Sequence, residues 1–340
     1  MAVTIKTIAS LAKVSTATVS RYLNNPDSVS ESKRRIIAEI ISAQNYKRNE
    51  LARDLVMNQS KTVGVILPDI NNIYFSPIML GIEHALEEKG YNTFICNTHG
   101  NIEKEKSYVD MLLCHRVAGM IFIGTRPLDR KLNDHVIELA EHLPIVLVND
   151  YLVDSNVNFV MNNEARGVEK ALQYLFDNGH REIGFINGNL PMTTYAYKRN
   201  GFQEHMKHLG LDWREYYVEE DPYEGGGYQA MCSMLRQEKH PTAVITANDQ
   251  MAIGAVRAVF ENGFNVPRDV SIIGYSNVPI SGEIYPRLTT VDQSPIYTGE
   301  TAAQILISQI HNDRSRMTRR QMSLWLETEL VIRNSTAPRE

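Results

Sequence analysis

Four short or basic side chains near the start of the chain recur at helical spacing, and their types suit the recognition of base edges. They are Thr16, Ala17, Ser20 and Arg21. A guanidinium group can donate two hydrogen bonds to the O6 and N7 atoms of guanine, whereas a short side chain can contact a thymine methyl group or make one hydroxyl bond. Residues four apart share a face of an α-helix, so the pattern predicts a helix with an exposed face that reads bases.

Two short helices joined by a turn are predicted to position this face. In the first helix, apolar residues at three- and four-residue spacing are expected to be buried together: Ile5, Ile8, Leu11 and Ala12. Ser15 is a suitable N-cap for the second helix, which is predicted over 16–24. This arrangement is typical of a helix-turn-helix, whose second helix enters the major groove of duplex DNA. A plain three-helix packing module is the alternative interpretation.

The charge distribution favours nucleic acid as the partner of the first part of the chain. Residues 1–61 contain ten Lys and Arg against five Asp and Glu, a net charge of +5, whereas the whole chain of 340 residues carries −5. Residues 62–340 therefore carry −10. A basic head on an acidic body indicates that the head, and not the body, binds phosphates.

A third helix and a short hinge are predicted to follow. Ser30 is a suitable N-cap for the third helix, and the expected buried stripe consists of four isoleucines: Ile36, Ile37, Ile40 and Ile41. The next segment, 49–55, can form only two helical turns, which are not stable alone in water. We therefore expect the hinge to fold only when another molecule holds it.

From residue 62 the apolar pattern changes to short runs that are typical of buried strands. They are 62–68, 91–98, 118–124, 144–149, 159–161, 182–188, 243–248 and 271–275, with a last strand at 330–332. Helical patterns lie between most of them, for example at 76–90, 164–179 and 249–263. Alternating strands and helices predict doubly wound parallel sheets, and the number of strands predicts two similar α/β subdomains. Ligands bind such folds at the carboxyl ends of the strands.

Several classes of protein are disfavoured by what the sequence lacks. The three cysteines are scattered without metal-ligand spacing: Cys96, Cys114 and Cys232. We expect reduced thiols, no metal and no cofactor. There is no signal peptide and no apolar run of about 18 residues, so we expect a cytoplasmic protein that does not span a membrane. No HExxH, P-loop, GxGxxG or GxSxG motif supports an enzyme. A solute-binding protein is the other alternative, which the basic head disfavours.

Nine motifs, in order over residues 3–335, resemble the lactose-repressor/galactose-repressor (LacI/GalR) family of bacterial transcription regulators. They are VTIKTIA, VSTATVSRYLN, VS at 29–30, LARDL, GVILPDINN, NGHREIGFING, TANDQMAIGAVRA, VPRDVSIIGY and PRLTTVDQ. The resemblance implies a repressor of carbohydrate-metabolism genes that binds a palindromic operator as a homodimer. A small effector in an interdomain cleft would control its affinity for DNA.

The resemblance also implies how the chain is divided. The helix-turn-helix headpiece would comprise 1–48, and the hinge helix and linker 49–61. A body like a periplasmic binding protein would follow, with an N-terminal subdomain of 62–161 and 291–320 and a C-terminal subdomain of 162–290 and 321–340. The chain would cross between the subdomains near residues 162, 290 and 321.

DNA contacts are implied position by position. Thr16 and Ala17 match the family's variable base-reading pair, and Arg21 matches its recognition arginine. Positions that match phosphate contacts are Thr4, Ser20, Asn24 and Tyr46. Asn49 opens the hinge, and Leu55 matches the leucine that the family inserts into the minor groove at the operator centre. Two residues depart from the family pattern, because Lys13 replaces a glycine in the turn and Arg48 replaces a proline before the hinge.

The positions that match effector contacts are Phe75, Asn149, Lys198, Asn248 and Ser276. Lys198 replaces the usual arginine and Ser276 the usual aspartate, and both changes favour an acidic effector such as a sugar acid or sugar phosphate. The alternative is a neutral sugar, with Lys198 paired to a nearby carboxylate. Pro222 stands where many members have an aromatic residue, and Tyr223 is the candidate substitute.

The assembly is expected to be a dimer formed through the body. No heptads follow the last strand, so we expect no tetramer. The stripe of Ile78, Ile82 and Ala85 is either a dimer interface or part of the core.

Overall fold

The structure, a computed structural model, describes residues 3–46, 60–153, 155–223, 225–314 and 321–339. Its contacts divide the chain into two compact units, Met1–Gln59 and Ser60–Glu340. No helix among the described residues is long and apolar enough to cross a membrane. The predicted hinge, including Arg48, Asn49 and Leu55, lies outside the described residues.

Residues 3–46 of the first unit form three helices. They are α1 (Ile5–Leu11), α2 (Thr16–Asn24) and α3 (Glu31–Ala43), with a 3₁₀ turn at Pro26–Ser28. The predicted N-cap at Ser15 is confirmed, since its Oγ accepts a hydrogen bond from the Thr18 amide at 3.2 Å. Ser30 precedes α3 as predicted but forms no side-chain capping bond.

A small apolar core holds the three helices together. Its buried members are Ile8, Ala9, Ala12, Val19 and Ile37. Two predicted core residues are exposed instead, because Leu11 has 51% and Ile36 46% of its surface accessible. Each residue turns a helix by about 100°. Leu11 therefore lies on the side of α1 that faces away from the core. On α3, Ile37 lies on the side that faces the core, and Ile36, about 100° around the helix, is left exposed.

Lys13 adopts the left-handed backbone conformation in the turn between α1 and α2, with φ of +52°. The Val14 amide donates to the Ala9 carbonyl at 3.0 Å, which closes the turn. A residue with a Cβ costs on the order of 1 kcal/mol more than glycine in this conformation. The departure at Lys13 therefore preserves the turn at a modest energetic cost.

The second unit contains two six-stranded sheets. The first has strand order β11-β5-β4-β3-β1-β2, and the second β12-β10-β9-β8-β6-β7. All pairs in them are parallel except β10 with β12. The first sheet comprises β1 (Thr62–Leu67), β2 (Asn92–Asn97), β3 (Gly119–Ile123), β4 (Ile145–Val148), β5 (Asn158–Asn162) and β11 (Ser323–Leu326). The second comprises β6 (Ile183–Gly188), β7 (Tyr217–Glu220), β8 (Ala243–Thr246), β9 (Ser271–Ser276), β10 (Thr289–Asp292) and β12 (Glu329–Val331).

Helices cover the faces of the sheets, as the doubly wound prediction requires. They are α4 (Phe75–Glu87), α5 (Ile102–Cys114), α6 (Asp134–His142), α7 (Glu164–Asp177), α8 (Thr193–His208), α9 (Gly226–Leu235), α10 (Asp249–Glu261) and α11 (Pro295–Arg314). Successive residues of a strand point to opposite faces. Val65 and Ile66 accordingly pack in separate apolar clusters on the two sides of the first sheet.

The chain crosses between the sheets three times, after β5, after β10 and after β11. The third crossing lies at 327–328 and not near 321, because Ser323–Leu326 pairs with β5 before the chain enters the second sheet. The second crossing follows residue 292, since β10 pairs with β9. Strand pairing thus places 291–292 in the second sheet and 323–326 in the first.

Helices α4 and α11 pack at very short range in the first subdomain. Ile78 and Ile82 are fully buried in this contact and Ala85 nearly so. The stripe on α4 therefore faces the core. Gly81 permits the approach, because a Cβ there would lie 2.1 Å from the Ile296 carbonyl oxygen.

We expect Gly81→Ala to lower the free energy of unfolding by about 3 kcal/mol, because the added methyl group meets backbone that cannot move aside. Urea unfolding of the full chain measures this. The matched control is Gly282→Ala, where a Cβ meets nothing within 4 Å, and the change should stay within about 0.5 kcal/mol. Equal stability of the two variants would contradict the close packing.

Candidate DNA-binding face and ligand cavity

The predicted base-reading face is present on α2. Thr16, Ala17 and Arg21 are exposed, and Ser20 is half-buried. Among the described residues the Arg21 guanidinium forms no ion pair, whereas Arg35 is paired with Glu39 at 3.2 Å. The five N–H donors of Arg21 therefore remain available to a partner.

The predicted phosphate contacts have different local roles. Thr4 is the N-cap of α1 and accepts a hydrogen bond from the Thr7 amide at 3.3 Å. Tyr46 is half-buried and packs against the headpiece core. Asn24 is the last residue of α2. The exposed Thr4 lies at a helix N-terminus, where the partial positive charge of the backbone favours an anion.

We expect Arg21→Ala to weaken specific binding by about 1–3 kcal/mol and to relax the preference at one base pair of each half-site. Gel shifts on the operator and on random duplex measure the effect. The control is Arg35→Ala, whose side chain lies on α3, and any loss there should be the same on both DNAs. An equal loss on both DNAs for Arg21→Ala would show that Arg21 contacts only phosphate.

The second unit contains an open cavity at the carboxyl ends of both sheets. The five predicted effector positions all line it: Phe75, Asn149, Lys198, Asn248 and Ser276. Tyr223, the candidate aromatic substitute, lines it as well. Residues that the prediction missed also line it, including Tyr74, Thr125, Glu164, Tyr195 and Gln293. Strand ends from two sheets converge here, which is where doubly wound folds bind ligands.

One wall of the cavity is aromatic and is held by Asn149. Phe75 is buried at the start of α4. Asn149 has φ of +66°, and its Nδ2 donates to the Tyr74 hydroxyl at 2.8 Å. Burial raises the pKa of Tyr74 well above its usual value. Tyr74 therefore stays a neutral phenol, and its position next to Phe75 is the signal that could have identified it.

Asn248 organises the opposite wall. Its Oδ1 accepts from the Met251 amide at 2.7 Å and so caps α10, while its Nδ2 donates to the Pro222 carbonyl at 3.0 Å. The neighbouring Tyr223 lines the cavity, as expected of the substitute for an aromatic residue at 222. The polar atoms of Asn248 thus already have partners within the protein.

Lys198 is almost completely buried, with 3% of its surface exposed. Its Nζ donates to the Ala247 carbonyl at 2.8 Å, lies 3.4 Å from Glu164 Oε2 and sits 3.8 Å from the ring centroid of Tyr275. Burial lowers the pKa of the Lys198 amine. Because Glu164 compensates its charge, Lys198 does not give the cavity a free positive charge, and this favours the neutral-effector alternative.

Ser276 ends β9 with φ of +111° and begins a chain of hydrogen bonds. Its Oγ donates to Gln293 Oε1 at 2.9 Å, and Gln293 Nε2 donates to Glu164 Oε1 at 3.0 Å. Gln293 and Glu164 follow β10 and β5, where the chain crosses between the sheets. Side chains of the cavity are therefore linked directly to two of the crossing segments.

The subdomains also touch across the mouth of the cavity. Thr125 donates to Thr194 at 3.2 Å, and the Tyr151 and Tyr197 hydroxyl groups are hydrogen-bonded to each other. Thr125 and Tyr151 belong to the first subdomain, whereas Thr194 and Tyr197 belong to α8 of the second. Both sides of the cleft are thus in contact in this structure.

Asp249 is a buried residue of the cavity wall and holds the loop after β9. Its carboxylate accepts from the Thr290 hydroxyl at 2.5 Å and from the Val278 amide at 2.9 Å. Burial is the largest influence and raises the pKa of Asp249 from 3.8 to about 7. The folded chain therefore holds this proton more tightly than the unfolded chain does.

We expect Asp249 to make the free energy of unfolding fall as the pH rises from about 4 to about 7, since only the folded form stays protonated there. The difference between wild type and Asp249→Asn should therefore fall over this range and become flat above about pH 8. Urea unfolding as a function of pH measures it. The pKa of Asp269 is lowered to about 2, so the difference for the control Asp269→Asn should be flat over the same range. A flat difference for Asp249→Asn would contradict the burial effect.

Two family models match the chain. Residues 4–49 match the bacterial regulatory proteins of the lacI family, and residues 172–336 match a periplasmic binding protein-like domain. The HTH-type transcriptional repressor PurR of Histophilus somni (strain 129Pt) is 35% identical over 333 residues, which are 98% of each chain. PurR of Glaesserella parasuis serovar 5 (strain SH0165) is 34% identical over 335 residues, again 98% of each chain.

Solved structures of the same family are also similar. A lac repressor dimer bound to operator and the anti-inducer ONPF has a TM-score of 0.89 at 27% identity, covering 99% of this chain and 100% of that one. The regulator CelR in complex with cellobiose has a TM-score of 0.72 at 25% identity, covering 98% and 99%. A LacI family regulator from Enterococcus faecium with bound ribose has a TM-score of 0.72 at 26% identity. The match covers 82% of this chain and 100% of that one.

These similarities extend over the headpiece and the body together. The chain therefore belongs to the LacI family of bacterial regulatory proteins. It is a DNA-binding transcriptional regulator with a helix-turn-helix and a periplasmic-binding-protein-like body of two α/β subdomains.

Proposed function

We propose that this chain is a repressor that binds a palindromic operator as a homodimer and regulates genes of carbohydrate metabolism from the cytoplasm, where bacterial DNA lies. The observation that carries the proposal is the combination of two sites in one chain. An exposed Arg21 on a capped helix is joined to a body whose cavity collects all five predicted effector positions. We assign the chain no catalytic role.

On the DNA side, Arg21 reads a guanine and the short side chains of Thr16 and Ala17 read methyl groups or one acceptor. Phosphate contacts by Thr4, Ser20, Asn24 and Tyr46 set the position of the headpiece on the duplex. Asn49 and Leu55, which lie outside the described residues, complete the proposed DNA contacts, with Leu55 inserted at the operator centre. An apolar side chain at that place unstacks a base step and bends the duplex.

On the effector side, a small molecule occupies the cavity between the sheets and changes the affinity for DNA. Phe75 provides an apolar face, and Asn149, Lys198, Asn248 and Ser276 surround it with polar groups. Similar proteins have been solved with cellobiose and with ribose. A ligand that contacts both subdomains favours one of their relative arrangements and so controls the hinges.

The proposal is tested by selecting binding sites from random duplexes with the full chain and by repeating the gel shift with residues 62–340 alone. We expect the full chain to select a palindrome and residues 62–340 to bind no DNA. Light scattering should give twice the chain mass of 38.6 kDa. Selection of a site without two-fold symmetry, or a stable tetramer at micromolar concentration, would contradict the proposed assembly.

A further inference from the structure

Glu164 places a carboxylate in the ligand cavity, although the sequence pattern does not mark it as a site residue. It is the first residue of α7 and is 2% exposed. An acidic residue in the first turn of a helix is common, because the helix dipole favours it there. This one lines the cavity, and helix geometry alone does not explain its burial among cavity-lining side chains.

The two carboxylate oxygens of Glu164 have different environments. Oε1 accepts from Gln293 at 3.0 Å. Oε2 is buried and accepts no hydrogen bond from any described residue. The nearest cation is Lys198, whose Nζ lies 3.4 Å away and donates instead to the Ala247 carbonyl at 2.8 Å. Oε2 is thus held by an ion pair but accepts no hydrogen bond within the described residues, and a ligand donor would supply that bond.

The chain of hydrogen bonds relates Glu164 to position 276. Ser276 bonds to Gln293, which bonds to Glu164. Ser276 lacks the carboxylate that the family pattern usually has at this position. The cavity nevertheless contains the carboxylate of Glu164, which is contributed by the segment after β5 and not by the end of β9.

We propose that Glu164 binds the effector, with Oε2 accepting a hydrogen bond from an O–H or N–H group of a ligand that carries no negative charge. The proposal rests on the proposed function, since it assumes that this cavity takes the effector. A ligand phosphate or carboxylate at this point meets the Lys198–Glu164 pair, which has no net charge. No free positive charge of this pair offsets the cost of removing an anion from water. The site therefore favours hydroxyl-bearing, uncharged ligands over their acids and phosphates.

The test is a thermal-shift and calorimetric panel on the full chain with matched pairs of probes. The pairs are ribose with ribose 5-phosphate, glucose with gluconate, and cellobiose with cellobionate. We expect at least one uncharged probe to raise the Tm of the wild type by about 5 °C at a hundredfold excess over its Kd, and its acidic partner to have no effect.

The same panel on Glu164→Gln tests the carboxylate itself. Loss of a charged hydrogen bond should weaken binding of the uncharged probe about 10- to 100-fold. Glu169→Gln, on the same helix but outside the cavity lining, is the matched control and should bind as the wild type does. Should Glu164→Gln not fold, Glu164→Asp keeps the charge and withdraws it by one methylene. It should bind the uncharged probe more weakly and still reject the acidic one.

Three results would overturn the proposal. They are binding of an acidic probe without its uncharged partner, undiminished binding of the uncharged probe by the variants at 164, and no binding of any uncharged probe. Gel shifts with the same preparations keep the two proposals separate. A chain that selects no DNA site refutes the proposed regulator whatever the sugars do, whereas a chain that binds its operator but fails the panel refutes only the role of Glu164.

Discussion

The hydrogen bond from the Tyr275 hydroxyl to the Glu164 backbone carbonyl, at 3.0 Å, is the contact on which the geometry of the cavity depends. Tyr275 is fully buried on β9, and Glu164 follows the first crossing. A Cβ at Gly167 would lie 2.1 Å from this hydroxyl and 3.0 Å from Thr328 Oγ1, so glycine is required for the approach. Because Gln293 also bonds to Glu164, the segments of the first and second crossings are joined at Glu164. Thr328, in the third crossing, lies one helical turn further along, beside Gly167.

How far the sequence predicts the fold depends on where each strand obtains its stability. Strands such as Gly119–Ile123 are buried on both faces and appear as apolar runs, so they are predicted almost to the residue. The edge strands Tyr217–Glu220 and Ser323–Leu326 are partly exposed, and neither contains more than three consecutive apolar residues. Thr289–Asp292 is buried but polar, since its threonines are satisfied by partners such as Asp249. Partners that lie far apart in sequence cannot be found from local periodicity, and the third crossing is misplaced for this reason.

In the ligand site, too, the positions found in local motifs could be predicted, whereas their partners from distant parts of the chain could not. Five positions could be assigned because they stand in recognisable motifs, and the structure brings all five to one cavity. Their hydrogen bonds could not be assigned. Asn248 uses its amide to cap α10 and to hold Pro222, and Lys198 is compensated by Glu164, 34 positions earlier in the chain. When Lys198 and Ser276 are considered separately, their types favour an anionic effector. The ion pair between Lys198 and Glu164 instead favours an uncharged effector.

The departures from the family pattern are consistent with one another once Glu164 is included. An arginine at 198 would present a planar fork, whereas a lysine is a compact charge on a flexible stem. That shape lets the Lys198 amine bond to the Ala247 carbonyl, approach Glu164 and lie over the Tyr275 ring. An aspartate at 276 would add a second carboxylate within the hydrogen-bonded chain that Glu164 already occupies, and like charges so close raise the pKa of one of them. Serine at 276 avoids this repulsion and still donates to Gln293. Lysine, serine and glutamate at these three positions are therefore connected by one ion pair and one chain of hydrogen bonds, whose carboxylate stands at the start of a helix and not at the end of a strand.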